Sequence, residues 1–397
     1  MKWIQFHHLY QPPSQDETVV KTVSRESYDR ICALHEEYPH LKSTINLSGS
    51  LIELLEQYKE TVILSRIKKL VESSQIELVG SVMYHPLMPK ISIEEASRQI
   101  TFQEEALKRV FGDVKLRGFY FPEMAYDANM AVLIKERGYE WIILDEIHSK
   151  ESVSPETPYK DAASGLKVVF RDRTTSKTFP PQYVTENFSQ FKNKTVIIAH
   201  DGELYGHWHK DDMGFYSHIL TNKEIAFQLI SEYIDSMRDK KVEPLVLRPA
   251  SWESTEEELA LGIPYSLWDH PDSIVRKSLW AFATSVGNVL EKKTKDPHIG
   301  DARREYSKGL ASCAWWWASE RRLGPFSPLT WNPTEIEKGV KRINNAARTL
   351  KKLPVKTHAA IEHEYHALLE MVWNEHWKRF GKENGEINDE ITDNEEA

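Results

Sequence analysis

LRGFYFPEMAYDANMAVLIKERGYEWIIL, residues 116–144, holds a complete strand–helix–strand unit. Leu116–Phe121 is an apolar run that stops at Pro122, a residue that cannot donate to a ladder. Asp127 then stands before the helical pattern Asn129–Arg137, and Gly138 follows it, which are the start and stop signals of a helix. Trp141–Leu144 is a second apolar run. Two strands joined through one helix run parallel. A carboxylate, Glu123, is left at the tip of the first of them.

The alternation continues on both sides. Lys2–His8 (KWIQFHH), Ser43–Leu47 (STINL), Gln75–Val79 (QIELV), Lys167–Phe170 (KVVF), Thr195–Ala199 (TVIIA) and Pro244–Leu247 (PLVL) read as further strands. Leu51–Tyr58, Val62–Glu72, Ile93–Val110 behind the Ser92/Glu95 capping pair, and Lys223–Arg238 read as helices between them. About seven or eight such repeats favour an α/β fold with a closed or nearly closed barrel over an open doubly wound sheet. No glycine-rich phosphate-binding pattern follows the first strand, which argues against a nucleotide-binding version. From Trp280 onward the texture changes to long helical patterns, Leu279–Leu290, Ala302–Ser319, Pro333–Leu350 and Thr357–Phe380, with no strands between them. The expected organisation is a barrel over 1–275, a helical C-terminal domain over 276–381, and a disordered acidic tail over 382–397 (KENGEINDEITDNEEA), which has too little apolar surface to offset its ordering entropy.

The 397 residues carry 60 acidic against 51 basic side chains, a net charge of −9, so a nucleic-acid backbone is not the expected partner. No run of apolar residues is long enough to span a membrane, and MKWIQFHHLY lacks the apolar stretch of a signal peptide. The two cysteines, Cys32 and Cys313, form no CxxC or disulfide framework. A cytoplasmic protein is expected, with its oligomeric state left open. The 12 Trp, 16 Tyr and 14 Phe are many for a chain of this size; core packing is the first reading of them, and an excess of Trp also suits a surface that stacks on sugar rings or other flat ligands.

In a βα barrel the carboxyl ends of the strands carry the chemistry. That rule gathers His7 and His8 at the end of the first strand, Asn46 at the end of the second, His85 after the third and Glu123 after the fourth. Thr195–Ala199 delivers His200, Asp201, Glu203, His207 and His209, and Pro244–Leu247 delivers Arg248-Pro-Ala-Ser-Trp. Two carboxyl groups at such tips suit glycosidic bond cleavage, which needs a nucleophile or base and a proton donor about 5–9.5 Å apart. Exposed loop acids or helix caps are the ordinary alternative, and Asp201 could cap a following turn. The His200–His209 run with Asp201, Asp211 and Asp212 could also ligate zinc, although no fixed-face pair or thiolate supports it. Neutral imidazoles that bind hydroxyls or hold a carboxylate fit the pattern better, so neither metal nor cofactor is expected.

Five segments, in order, resemble the five characteristic regions of glycoside hydrolase family 57, which acts on α-glucans. His8-Leu-Tyr-Gln-Pro-Pro is similar to the first region, Gly80–Pro86 (GSVMYHP) to the second, Phe119–Asp127 to the third, Asp201–Trp208 (DGELYGHW) to the fourth and Leu310–Trp317 (LASCAWWW) to the fifth. The resemblance covers residues 1 to about 320, with the third and fourth regions the most specific. It departs at Tyr10, where a second histidine is common, and at Cys313, where an aspartate is common. The resemblance implies an incomplete (β/α)7 barrel with a helical C-terminal domain, Glu123 as nucleophile and Asp201 as general acid/base. It implies a retaining hydrolase or transglycosylase on an α-glucan or maltooligosaccharide. Expected sugar contacts are His8, Tyr10, Gln11, His85, His207, Trp208, Trp252 and Trp316. The alternatives are a metal-dependent carbohydrate deacetylase and a glycan-binding protein without turnover.

Overall fold

The computed structural model describes residues 1–321 and 330–392, with side chains through Arg379. The chain divides into two units, Met1–Tyr265 and Ser266–Ala397. The first is α/β. Its strands are β1 (Lys2–Leu9), β2 (Ser43–Leu47), β3 (Ile76–Leu78), β4 (Gly118–Phe119), β5 (Trp141–Asp145), β6 (Tyr159–Asp161), β7 (Lys167–Arg171), β8 (Thr195–Asp201), β9 (Ala226–Phe227) and β10 (Glu243–Leu245).

One sheet runs β3-β2-β1-β8 and the other β10-β6-β7-β5-β4. They meet twice. Gly80, just past β3, forms a parallel bridge with Phe119, and Tyr120 N donates to Gly80 O at 2.9 Å. On the other side Asp172 N, just past β7, donates to Ile197 O of β8 at 2.7 Å. The pairs within the path β4-β3-β2-β1-β8 and the pairs β4–β5 and β5–β7 are all parallel.

Strand periodicity sets which side chains face inward. Along β1, Ile4 and Phe6 share a core with Ile197 and Ala199 of β8, whereas Trp3, Val196 and Ile198 pack in a second cluster. Two residues further on the first face lie His8 and Asp201, and the register sets them side by side. Asn46 of β2 is the partner of His8 on the other side.

Local signals start several of the helices. Ser92 Oγ accepts from Glu95 N at the start of Ile93–Phe111, and Asp127 Oδ1 accepts from Asn129 N and Met130 N at the start of Ala128–Glu136. Gly138 takes φ +93 beyond the second of these, a conformation without penalty for glycine alone. Two expectations need correction here. Lys223–Arg238 is not one helix: Ala226 N and Gln228 N donate to Met1 O and Trp3 O, so its first part is β9 on the edge of β1, and only Ile230–Ser236 is helical. Pro244–Leu247 does not continue the parallel series, because β10 pairs with the short β6, which runs antiparallel to β7.

The second unit contains helices Ile274–Lys292, Ile299–Gly309, Cys313–Trp316, Pro333–Thr349 and Val355–Thr392. The single helix expected over Ala302–Ser319 is broken after Gly309, and Trp315 of the next short helix stacks on Trp280 at 4.1 Å. The stretch 382–397, expected to be a disordered tail, continues the last helix as far as Thr392. Its Glu and Lys residues are good helix formers, and elongating a helix already begun needs no new nucleus. Residues 393–397 of that expectation lie outside the described residues.

Candidate active site

Glu123 stands where β4 gives way to a turn. Pro122 opens a short 3-10 turn, and Glu123 and Met124 both adopt left-handed backbone, φ +59 and +49. For residues with a Cβ this costs about 1–3 kcal/mol each, and surrounding bonds must hold it. They do: Trp252 N donates to Glu123 O at 3.0 Å, Tyr126 N to Ala250 O at 3.1 Å, and His148 Nε2 lies 2.8 Å from Met124 O. The side chain is met by the indole of Trp252, whose Nε1–H donates to Oε2 at 3.0 Å, and by His85, whose Nδ1 lies 3.7 Å from Oε1. His85 is itself left-handed, at φ +58.

Aromatic rings line this carboxylate. The rings of His8, Tyr10 and His85 cluster with centroids 4.7 Å (His8–His85), 4.2 Å (Tyr10–His85) and 5.6 Å (His8–Tyr10) apart, and Tyr120 lies 4.7 Å from His8 and 6.1 Å from Trp252. His8 Nδ1 lies 2.8 Å from Asn46 Oδ1, and that oxygen only accepts, so the proton sits on Nδ1 and Nε2 is an acceptor. Burial lowers His8 to about 4, with the Asn46 bond working against the shift, so the ring is neutral near pH 7. Burial and the nearby His8 push His85 well down too. His8 Nε2, Asn46 Nδ2 and the Tyr120 hydroxyl are buried and find no hydrogen-bond partner among the described residues.

Asp201 ends β8 in register with His8. Its carboxyl is pushed well above the usual range, first by burial, then by the charges of Glu203 and Glu123, with Arg171 pulling the other way. Glu123 and Asp201 also raise the Tyr120 phenol, after burial, so both acids act on one hydroxyl. Glu203, two residues on, is buried, and desolvation lifts it to about 7. Arg171 anchors the far wall. Its Nε donates to Asp145 Oδ2 at 2.6 Å and Nη1 to Ala199 O at 2.8 Å, and its guanidinium lies 5.1 Å over the Trp252 ring. Arg173 joins it on Asp145 at 2.7 Å and donates to the carbonyls of Trp252 and Ser254.

Of the residues singled out from sequence, Glu123, His8, Tyr10, His85 and Trp252 touch one another directly, and Asp201 is strand-paired with His8. Gln11 meets the Asp201 loop: its Nε2 donates to Glu203 Oε1 at 3.0 Å and its Oε1 accepts from Gln15. His207 Nδ1 lies 2.7 Å from Glu26 Oε2, and Trp208 on the same loop is 47% exposed. Trp316 belongs to the second unit, where its ring meets Trp317 edge-on at 4.6 Å. The histidines of the 200–209 run disperse: His200 Nε2 lies 3.2 Å from the Tyr205 hydroxyl, and His209 stacks on Phe179 at 3.9 Å. Among the described residues no group of three His, Cys, Asp or Glu is arranged to hold a metal. The sequence reading missed Tyr120 and Arg171. Tyr120 lies within the Leu116–Phe121 run just before Glu123, and Arg171 one residue past Lys167–Phe170, so place at a strand end is the signal for both.

The chain is similar in sequence and in fold to known proteins. The chain is 26% identical over 259 residues to an α-amylase of Pyrococcus horikoshii, spanning 59% of this chain and 40% of that one. It is 24% identical over 253 residues to a 4-α-glucanotransferase of Thermococcus litoralis, spanning 57% and 37%. The chain thus spans well under half the length of these relatives. Its fold matches the crystal structure of 4-α-glucanotransferase from Thermococcus litoralis with a TM-score of 0.71 at 20% identity, covering 88% of this chain and 60% of that one. It matches a branching enzyme from Pyrococcus horikoshii with a TM-score of 0.68 at 14% identity, covering 92% and 94%. The family model for glycosyl hydrolase family 57 matches residues 2–247, more than half of the chain, and the protein belongs to that family.

Proposed function

We propose that this chain is a retaining enzyme acting on α-glucans or maltooligosaccharides, as a hydrolase or a transglycosylase, with Glu123 as nucleophile and Asp201 as general acid/base. The observation that carries the reading is the pairing of two unlike acids around Tyr120. Glu123 receives an indole N–H, which suits an anion, whereas burial and neighbouring negative charge raise the Asp201 carboxyl, which suits a proton donor. One oxygen of Glu123 attacks the anomeric carbon while the bond to the leaving oxygen breaks, and that oxygen takes the proton of Asp201. Asp201, now ionised, removes a proton from water or a sugar hydroxyl. The new oxygen displaces Glu123 from the anomeric carbon with a second inversion, so the configuration is retained.

The polar atoms around the carboxylates fit a hydroxyl-rich ligand. His8 Nε2 accepts from a sugar hydroxyl, and Asn46 Nδ2 and the Tyr120 hydroxyl donate to sugar oxygens. Tyr10 and the exposed ring of Trp208 offer stacking faces. On this reading β1–β5, β7 and β8 are the seven strands of an incomplete (β/α)7 barrel, Ser266 onward is its helical C-terminal domain, and the setting is cytoplasmic. Among the described residues no helix is long and apolar enough to cross a membrane. The dispersal of His200, His207 and His209 leaves a metal-dependent deacetylase without a ligand set among the described residues.

The test is the product profile from a pure maltooligosaccharide, followed by NMR of the anomeric proton at early times. Wild-type protein should give an α product first, while Glu123→Gln and Asp201→Asn should lose at least about 1,000-fold of the rate, as expected when a nucleophile or proton donor is removed. A β product, or either variant turning over like wild type, would falsify the assignment.

A further inference from the structure

The loop that carries Asp201 is gripped from one side by a single short element. Ser24–Tyr28 forms a π-turn, a geometry rare in helices and frequent at functional sites. Ser27 Oγ donates to Gly202 O at 2.7 Å. The Tyr28 hydroxyl donates to Glu203 Oε1. Glu26 meets His207 Nδ1 at 2.7 Å. Its carbonyl also lies so near Gly206, at φ +99, that a Cβ there would come within 2.1 Å of the oxygen. Three consecutive residues, Glu26–Tyr28, thus hold the loop at 202, 203, 206 and 207.

Within this grip the two acids of the loop are treated differently. Gln11 Nε2 donates both to Glu203 Oε1 at 3.0 Å and to the Tyr28 oxygen at 3.3 Å, which leaves the Tyr28 proton directed at Glu203. Glu203 Oε1 therefore receives two donors, while no donor among the described residues reaches the Asp201 carboxyl. The titratable and charged groups acting on Asp201 are Glu203 on its own loop, Glu123 after β4, Arg171 on β7 and Glu253 after β10. The phenols of Tyr28 and Tyr120 also feel its charge. On Glu203 act Tyr28, Gln11 and His207. When two neighbouring acids share a site, the one with the donors carries the charge and the other keeps the proton.

We propose that Glu203 is a positioning residue for the acid/base: ionised and clamped by Tyr28 and Gln11, it holds the proton on Asp201 and fixes the turn from which that proton is delivered. This rests on the assignment of Asp201 above. Tyr28 and Gln11 then act through Glu203 and touch no sugar, which gives Gln11 a role different from the one its sequence context suggests.

The experiment is the pH profile of kcat/KM on a maltooligosaccharide for Glu203→Gln, with circular dichroism at each pH. The charge removed is the leading one on Asp201, so the alkaline limb should move to lower pH by about one unit or more. Activity near the acid end of the profile should fall much less than at neutral pH. Tyr28→Phe, which keeps the ring and removes one donor, should shift the limb the same way by a smaller amount, and it serves if Glu203→Gln fails to fold. A limb that stays in place in a folded variant, or a loss of equal size at every pH, overturns the proposal. Glu123→Gln and Asp201→Asn separate this from the underlying assignment. If both are inactive and the Glu203→Gln profile is unshifted, only the role of Glu203 is lost. If either is active, the assignment itself fails.

Discussion

Replacing Trp252 with Phe removes the indole N–H that reaches Glu123 Oε2 at 3.0 Å and keeps most of the ring over which Arg171 sits. The backbone bond from Trp252 N to Glu123 O is untouched, so the turn stays braced. A hydrogen bond to a charged group contributes about 1.5–3 kcal/mol. In forming the glycosyl ester, Glu123 loses its charge; in releasing it, the charge returns. The missing N–H therefore slows release more than formation. With about half of the charge regained at the transition state, the loss is about 0.7–1.5 kcal/mol, or roughly 3- to 12-fold in rate. Rapid-mixing kinetics on an aryl α-maltoside should show a larger burst and a slower steady state in W252F than in wild type. A variant whose loss falls wholly on the first step, with no accumulated intermediate, would refute this reasoning.

Three further outcomes follow from other contacts. The Asp201 carboxyl is raised in the folded protein, so its contribution to stability is present below the unfolded pKa of about 4 and is lost as the pH climbs through the folded value; D201N should melt higher than wild type at neutral pH, with the gap closing below about pH 4 in a thermal series. Gly206→Ala places a Cβ against the Glu26 carbonyl at positive φ, and urea denaturation should report a loss of about 2 kcal/mol or more together with reduced turnover. Asp145→Asn leaves the buried Arg171 and its neighbour Arg173 short of a counter-charge, and the same denaturation should show a loss of about 3–5 kcal/mol.

The parts of this fold set by long local patterns are those the sequence displayed. β1 and β8 are visible because their apolar residues alternate faces and their ends carry His8 and Asp201. The helix Ala128–Glu136 is visible because Asp127 and Gly138 bracket it. β6 and β9 are not: β6 (Tyr159–Asp161) carries charged and polar residues with no apolar run around it, and β9 hides inside a stretch that scans as helix. Glu123 was legible from Pro122 and its strand. Its left-handed backbone was not, because the bonds from Trp252 and Ala250 that hold it come from more than 120 residues away in sequence. Gln11 shows the same gap in another form: its partners Glu203 and Tyr28 stand 192 and 17 residues away and are not legible from its neighbours in sequence.

The most direct measurement is covalent. A fluorinated α-glucosyl fluoride, which forms the glycosyl-enzyme faster than it is released, followed by peptide mass spectrometry, reads out which carboxylate meets the anomeric carbon. The prediction is a single adduct on the peptide containing Glu123, absent from Glu123→Gln and still formed in Asp201→Asn. An adduct on Asp201, on Glu203 or on any other acid contradicts the account, and so does an enzyme that turns the reagent over with inversion and carries no adduct.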